Sequence, residues 1–96
     1  MNHHKLKTWA IHFDAIAAGE KTFEVRKNDR FYQSGDVVTL YKYDPEKRAY
    51  VTDSGYSSHE VNAIRMTFRV GPVLQGGQFG IEPGYCVFSL LQEKQQ

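Results

Sequence analysis

Hydrophobic and polar positions along the chain recur with two different periods, and each change of period marks an element. Residues 4–8 (His-Lys-Leu-Lys-Thr) alternate weakly and predict a short first strand. Apolar residues then fall at Trp9, Phe13, Ile16 and Ala17, the i, i+4, i+7, i+8 spacing of one helix face. Thr8 stands before them as a candidate N-cap and Gly19 after them as a terminator, so a helix is predicted over about 9–18. Residues 21–27 return to period two. Lys21, Phe23, Val25 and Lys27 point one way, and Thr22, Glu24 and Arg26 the other.

The turn Ser34-Gly35-Asp36 precedes a β-rich run from Val37 to Tyr43, which Asp44-Pro45 stops, because proline cannot donate to a ladder. Ala49–Thr52 is the expected hairpin partner, and the small polar residues 53–59 predict a loop. A long strand is expected over about 60–70, with Asn62, Ile64, Met66, Phe68 and Val70 on one face. Its other face carries Ala63, Arg65, Thr67 and Arg69. The glycine- and proline-rich stretch 71–84 predicts turns, and Tyr85–Leu91 predicts a buried closing strand. One early helix followed by about five to six strands points to an α+β, mainly β fold: a small barrel or curled sheet with the helix packed at one end. A parallel βαβ fold is disfavoured, because later helices are missing.

Composition narrows the function classes. Ninety-six residues, 41% hydrophobic and 24% charged, describe one globular domain over 1–96 with a core at about 4–91. Net charge is +1, too small for a general binder of long nucleic acid, although Arg26, Lys27 and Arg30 cluster. The single cysteine, Cys86, forms no internal disulfide and fits a reducing compartment. No signal-peptide pattern and no apolar run of about 18–20 residues is present, so no membrane association and a cytoplasmic location are expected. His3, His4, His12 and His59 lack metal-ligand spacing, and no cofactor or metal is expected. No Gly-x-Ser-x-Gly or P-loop pattern occurs, and Cys86 reads as packing rather than as a nucleophile.

The informative segment is Gly19-Glu20-Lys21-Thr22-Phe23-Glu24-Val25-Arg26. Period two places Glu24 beside Arg26, and Lys21 sits at the helix–strand junction. Lys and Arg held by a carboxylate suit an anionic or polar ligand, while an ordinary salt bridge on a solvated face is the competing reading. Lys27-Asn28-Asp29-Arg30 either extends the site toward phosphates or forms an Asx turn. Phe31 is expected in the core and Tyr32 at the surface, where a ring stacks on a base.

The spacing Gly19-x-Lys21-x-x-Glu24-x-Arg26 after a short helix resembles the signature of ASCH domains, which are PUA-like barrels. His4, Leu6-Lys7, Lys21–Arg30, Ser34-Gly35-Asp36, Tyr43-Asp44-Pro45, Gly77–Gly80 and Gly84-Tyr85 extend the likeness to an ASCH-like family of bacterial and phage proteins. The resemblance implies a PUA-like barrel with an N-terminal helix at its end. It also implies a cleft for RNA, single-stranded nucleic acid or a nucleoside or nucleotide ligand. The site residues it brings forward are Lys21, Glu24, Arg26, Lys27, Arg30 and His4, with Tyr32 or Tyr85 stacking. One ASCH branch is an amidohydrolase acting on an acylated cytidine. There Lys21 matches the catalytic Lys, but Glu24 stands where that branch has Thr. A noncatalytic binding module is therefore the leading reading. An amidohydrolase using Lys21 and Glu24, or a protein-interaction domain, stands as the alternative.

Overall fold

The computed structural model describes residues 1–92. Seven strands and one α-helix follow in the order β1 (His3–Trp9), α1 (Ala10–Ala17), β2 (Phe23–Lys27), β3 (Val37–Asp44), β4 (Ala49–Thr52), β5 (Gly55–Ser57), β6 (Arg65–Gln75) and β7 (Tyr85–Gln92). The fold is mainly β within the α+β class, as the alternation predicts, with seven strands rather than five to six. Hydrogen bonds order the strands as an open path, β2-β7-β6-β3-β4-β5, with β1 on β3. The β2–β7, β6–β7, β3–β4 and β4–β5 pairs are antiparallel.

The chain divides into two compact units: Met1–His4, Thr22–Val38 and the stretch from Phe68 in one, Lys5–Lys21 and Thr39–Thr67 in the other. In the first unit Tyr32, Val38, Phe68, Val70, Cys86, Phe88 and Leu90 are buried. Strand β7 alternates, with Cys86, Phe88 and Leu90 inward, so it is one-sided rather than buried throughout. Strand β6 begins five residues later than expected, because Glu60–Asn62 form a 3-10 turn first, and then runs past Gly71-Pro72 to Gln75. A register shift between Val70 and Val73 accommodates that pair, and Pro72 is exposed there without breaking the strand. A Cβ at Gly71 would stand 3.1 Å from both Ser89 Cβ and Leu91 Cγ, so a larger residue at the bulge would need those side chains to give by a few tenths of an ångström.

The second unit holds α1, whose inward residues Phe13 and Ile16 are two of those the spacing named. Asp14 on its exposed side binds Lys42 of β3, Oδ1 to Nζ 2.8 Å. Trp9 and Thr8 behave differently from expectation. Trp9 is the last residue of β1 and takes the outward side that Lys5 and Lys7 occupy, which leaves it 53% exposed. The Thr8 hydroxyl donates to Leu6 O (3.3 Å) and caps nothing, because Thr8 points inward from the strand. Gly19, with φ +78°, ends the helical run as predicted. The β3–β4 turn closes when Asp44 Oδ1 accepts the Glu46 and Lys47 amides (2.9 and 3.2 Å), an Asx turn. Part of the expected loop 53–59 pairs instead as β5 on β4.

No helix among the described residues is long and apolar enough to cross a membrane.

Candidate functional site

Strand β2 reverses the usual rule for a half-buried strand. Its apolar residues Phe23 and Val25 are 45% and 51% exposed, while Glu24 is 3% exposed. Burying an unpaired carboxylate costs several kcal/mol. Here Arg26, two residues on and therefore on the same side, donates from Nε to Glu24 Oε2 at 2.7 Å. The guanidinium stays partly accessible, with 24% of its side-chain surface exposed. The pair is thus a built feature of the buried side, not a solvated salt bridge.

Cross-strand register connects this pair to a polar cluster. Glu24 lies opposite Phe88 and Arg26 opposite Cys86. The Phe88 ring packs on Tyr32 (centroids 4.9 Å), and Tyr32 packs on His4 (4.7 Å). His4 Nε2 donates to Asp36 Oδ2 at 2.8 Å. Asp36 also accepts the Asn2 amide at Oδ1 and the Gln33 amide at Oδ2, both at 3.1 Å. Burial alone would push the Asp36 carboxyl up, but the His4, Asn2 and Gln33 bonds and the His4 charge outweigh it and hold it below its ordinary value. Burial pushes the Tyr32 hydroxyl up, against the opposing pull of Arg30 and Arg26, so it stays a neutral donor at neutral pH.

Asn28 continues the inward series beyond the strand, its amide donating to Gly84 O (2.8 Å). Its Nδ2 donates to Gln75 Oε1 (2.6 Å), while its Oδ1 is buried without a partner. Glu24, Arg26 and Asn28 therefore follow one another along one side of the chain, with Glu24 and Arg26 engaged with each other.

The outward side differs in chemistry. Lys27 lies opposite Tyr85 and Val25 opposite Val87. Val25, Tyr85 and Val87 line a cleft of about 450 Å³ with Gly80, Ile81 and Glu82. Gly76 closes the loop beside it: a Cβ there would meet Glu82 O at 2.1 Å and Tyr85 O at 2.6 Å.

The eight residues singled out from sequence thus fall into separate groups. Glu24, Arg26, His4 and Tyr32 meet in the buried cluster. Lys27 and Tyr85 meet on the outward side. Arg30 lies exposed in the turn after β2, and its charge acts on Tyr32. Lys21 belongs to the helix-bearing unit, where it is half-buried and its amide donates to Ala15 O (3.1 Å). The expectation for the adjacent rings is corrected: Phe31 is 76% exposed and Tyr32 only 3%. Phe31 has φ +51°, and this left-handed turn of the backbone exchanges the directions of the two side chains. Sequence reasoning missed Asp36, which reads locally as a turn residue, and left Asn28 open between an extension of the site and a turn. Nothing in the neighbouring sequence signals their partners, 32 and 47 positions away. Among the described residues, no group of three or more His, Cys, Asp or Glu is placed to hold a metal ion.

Residues 3–90 match the family described as Domain of unknown function (DUF3850). The chain belongs to the DUF3850 family. Both the buried cluster and the outward cleft of this DUF3850 protein lie within the matched residues. An uncharacterized 12.9 kDa protein in the GpA 3′ region of Escherichia phage P2 is 40% identical over 40 residues. That alignment covers 42% of the DUF3850 chain and 37% of the phage protein.

Proposed function

We propose that this DUF3850 protein is an ASCH-like, PUA-type binding module that recognises one unstacked base of an RNA, or a nucleoside or nucleotide. The observation that carries the reading is the inversion of β2, which buries Glu24 with Arg26 and turns Phe23 and Val25 outward. A strand selected only for stability would gain about 1.5–3 kcal/mol from burying each apolar side chain. Placing a carboxylate there instead is the arrangement of a recognition site. The unpartnered Asn28 Oδ1 suits a base amino group, and Glu24 orients the partly accessible Arg26 guanidinium beside it. Exposed Phe31 supplies the stacking surface first assigned to Tyr32, while Lys27 and Arg30 suit phosphates. The small net charge favours a short ligand over a long duplex.

Titration calorimetry with the four nucleosides, their monophosphates and short RNAs tests the reading, with product analysis on the same samples. Binding is expected for a subset of bases, and Glu24→Gln and Asn28→Ala should each weaken it about tenfold or more. No binding across the panel, or binding indifferent to both substitutions, would refute it. Release of an acyl group from a modified nucleoside, lost in Lys21→Ala, would replace it with the amidohydrolase reading.

One observation favours a protein partner instead. Val25, Val87 and Leu74 are neighbours across three strands on the exposed side, and Phe23 is also exposed there. Sedimentation of the purified protein, with and without Val25→Lys, would reveal self-association through this side.

A further inference from the structure

The outward side of β1 in the helix-bearing unit carries Lys5, Lys7 and Trp9, because the intervening Leu6 and Thr8 point inward. Lys7 Nζ stands 4.2 Å from the centre of the Tyr43 ring and 5.8 Å from that of Tyr50. The two tyrosines are cross-strand partners on β3 and β4, and their rings meet edge-on at 5.1 Å. Trp9 lies two residues beyond Lys7 on the same side, about 7 Å along the strand. Trp9 is 53% exposed, and its ring lies within 23° of parallel to the His12 ring, centroids 6.5 Å apart. Lys5, Lys7 and Trp9 thus follow one another on one side of β1, with the half-buried Tyr43–Tyr50 ring pair beside Lys7.

We propose that the stripe of Lys5, Lys7, Trp9, Tyr43 and Tyr50 binds single-stranded nucleic acid. Every base has a π-face, so rings spaced along a surface hold a strand without regard to sequence while ammonium groups hold its phosphates. A duplex hides those faces inside its stack, so it gains only the phosphate contacts. The site shares no residue with the Glu24 cluster. Burial and the negative charge of Glu60 both push the Tyr50 hydroxyl up, which places a carboxylate near the Tyr50 end of the stripe. Removing that charge is therefore expected to tighten phosphate binding.

Trp9 is the one tryptophan of the chain, so its fluorescence reports on the stripe alone. Titration with oligothymidylate of about ten nucleotides, a length within the usual span of a single-strand site, is expected to quench it. Affinity should fall with salt, and Lys7→Ala should lower the log–log salt slope by about 0.7, the value for one single-strand phosphate contact. Read by anisotropy of a labelled strand, Trp9→Ala should weaken binding about tenfold and Trp9→Phe much less. Glu60→Gln should strengthen it. No quenching at saturating oligothymidylate, affinity indifferent to Lys7→Ala, or a duplex bound as tightly as the single strand would each overturn the proposal. Free nucleosides probe the Glu24 cluster and oligothymidylate probes the stripe, so either reading fails separately.

Discussion

Replacing Asp36 by alanine removes the acceptor on which three donors converge. The Nε2 hydrogen of His4 is then left in a site where His4 is only 8% exposed, at a cost of about 1–3 kcal/mol for a buried unsatisfied group. The Asn2 and Gln33 amides belong to exposed residues and regain water, so each loses only the net value of a bond, about 0.5–1.5 kcal/mol. The total is about 2–6 kcal/mol, a large part of the roughly 5–15 kcal/mol available to a domain of this size. The effect also carries a pH signature. The Asp36 carboxyl is held below its ordinary 3.8, so the stability it contributes is fully present above that value and is lost as pH falls through the lower folded value. Urea denaturation of both proteins should therefore show a gap of about 2–6 kcal/mol at neutral pH. In thermal melts at successively lower pH the gap should narrow below about pH 4 as the wild-type carboxylate is protonated. A gap under about 1 kcal/mol at neutral pH, or one that does not narrow in acid, would refute the account of Asp36 as a buried ionised acceptor.

Two further perturbations test other parts of the structure. Gly76→Ala places a Cβ against the Glu82 and Tyr85 carbonyl oxygens, backbone atoms that cannot step aside. It should cost about 3 kcal/mol or more, and speed hydrogen exchange of the Gly76 and Tyr85 amides, whose bonds close the 76–85 loop. Cys86 is fully buried, and burial, reinforced by the Asp29 charge, pushes its thiol up. Its reaction with a thiol reagent should be slow in the native protein at pH 8 and fast in urea, and equal rates would contradict its placement.

Much of the fold is legible in local pattern. Phe13 and Ile16 had to share a side of any helix over that segment, and Met66, Phe68 and Val70 had to share a side of any strand, because those periods belong to the backbone itself. Gly19 and Asp44-Pro45 end their elements through conformational preferences of single residues. The pairing of Glu24 with Arg26 is equally local, since period two alone puts them together.

What the pattern left open is which side of each strand is buried, and that choice is made by the rest of the molecule. In β2 hydrophobicity would have turned Phe23 and Val25 inward. Register against β7 instead sets Glu24 over Phe88 and Arg26 over Cys86, which brings the charged pair in. The left-handed backbone at Phe31 decided the exchange with Tyr32, a conformation that an aromatic residue does not announce. Likewise Asp36 and Asn28 are turn residues by composition, and only contacts spanning 32 and 47 positions made one a buried acceptor for His4 and gave the other its Gln75 partner. The sequence by itself therefore determined the periods, the turns and the local Glu24–Arg26 pair. The tertiary structure decided their sidedness and long-range partners, because burial is a property of what packs against a residue rather than of the residue alone.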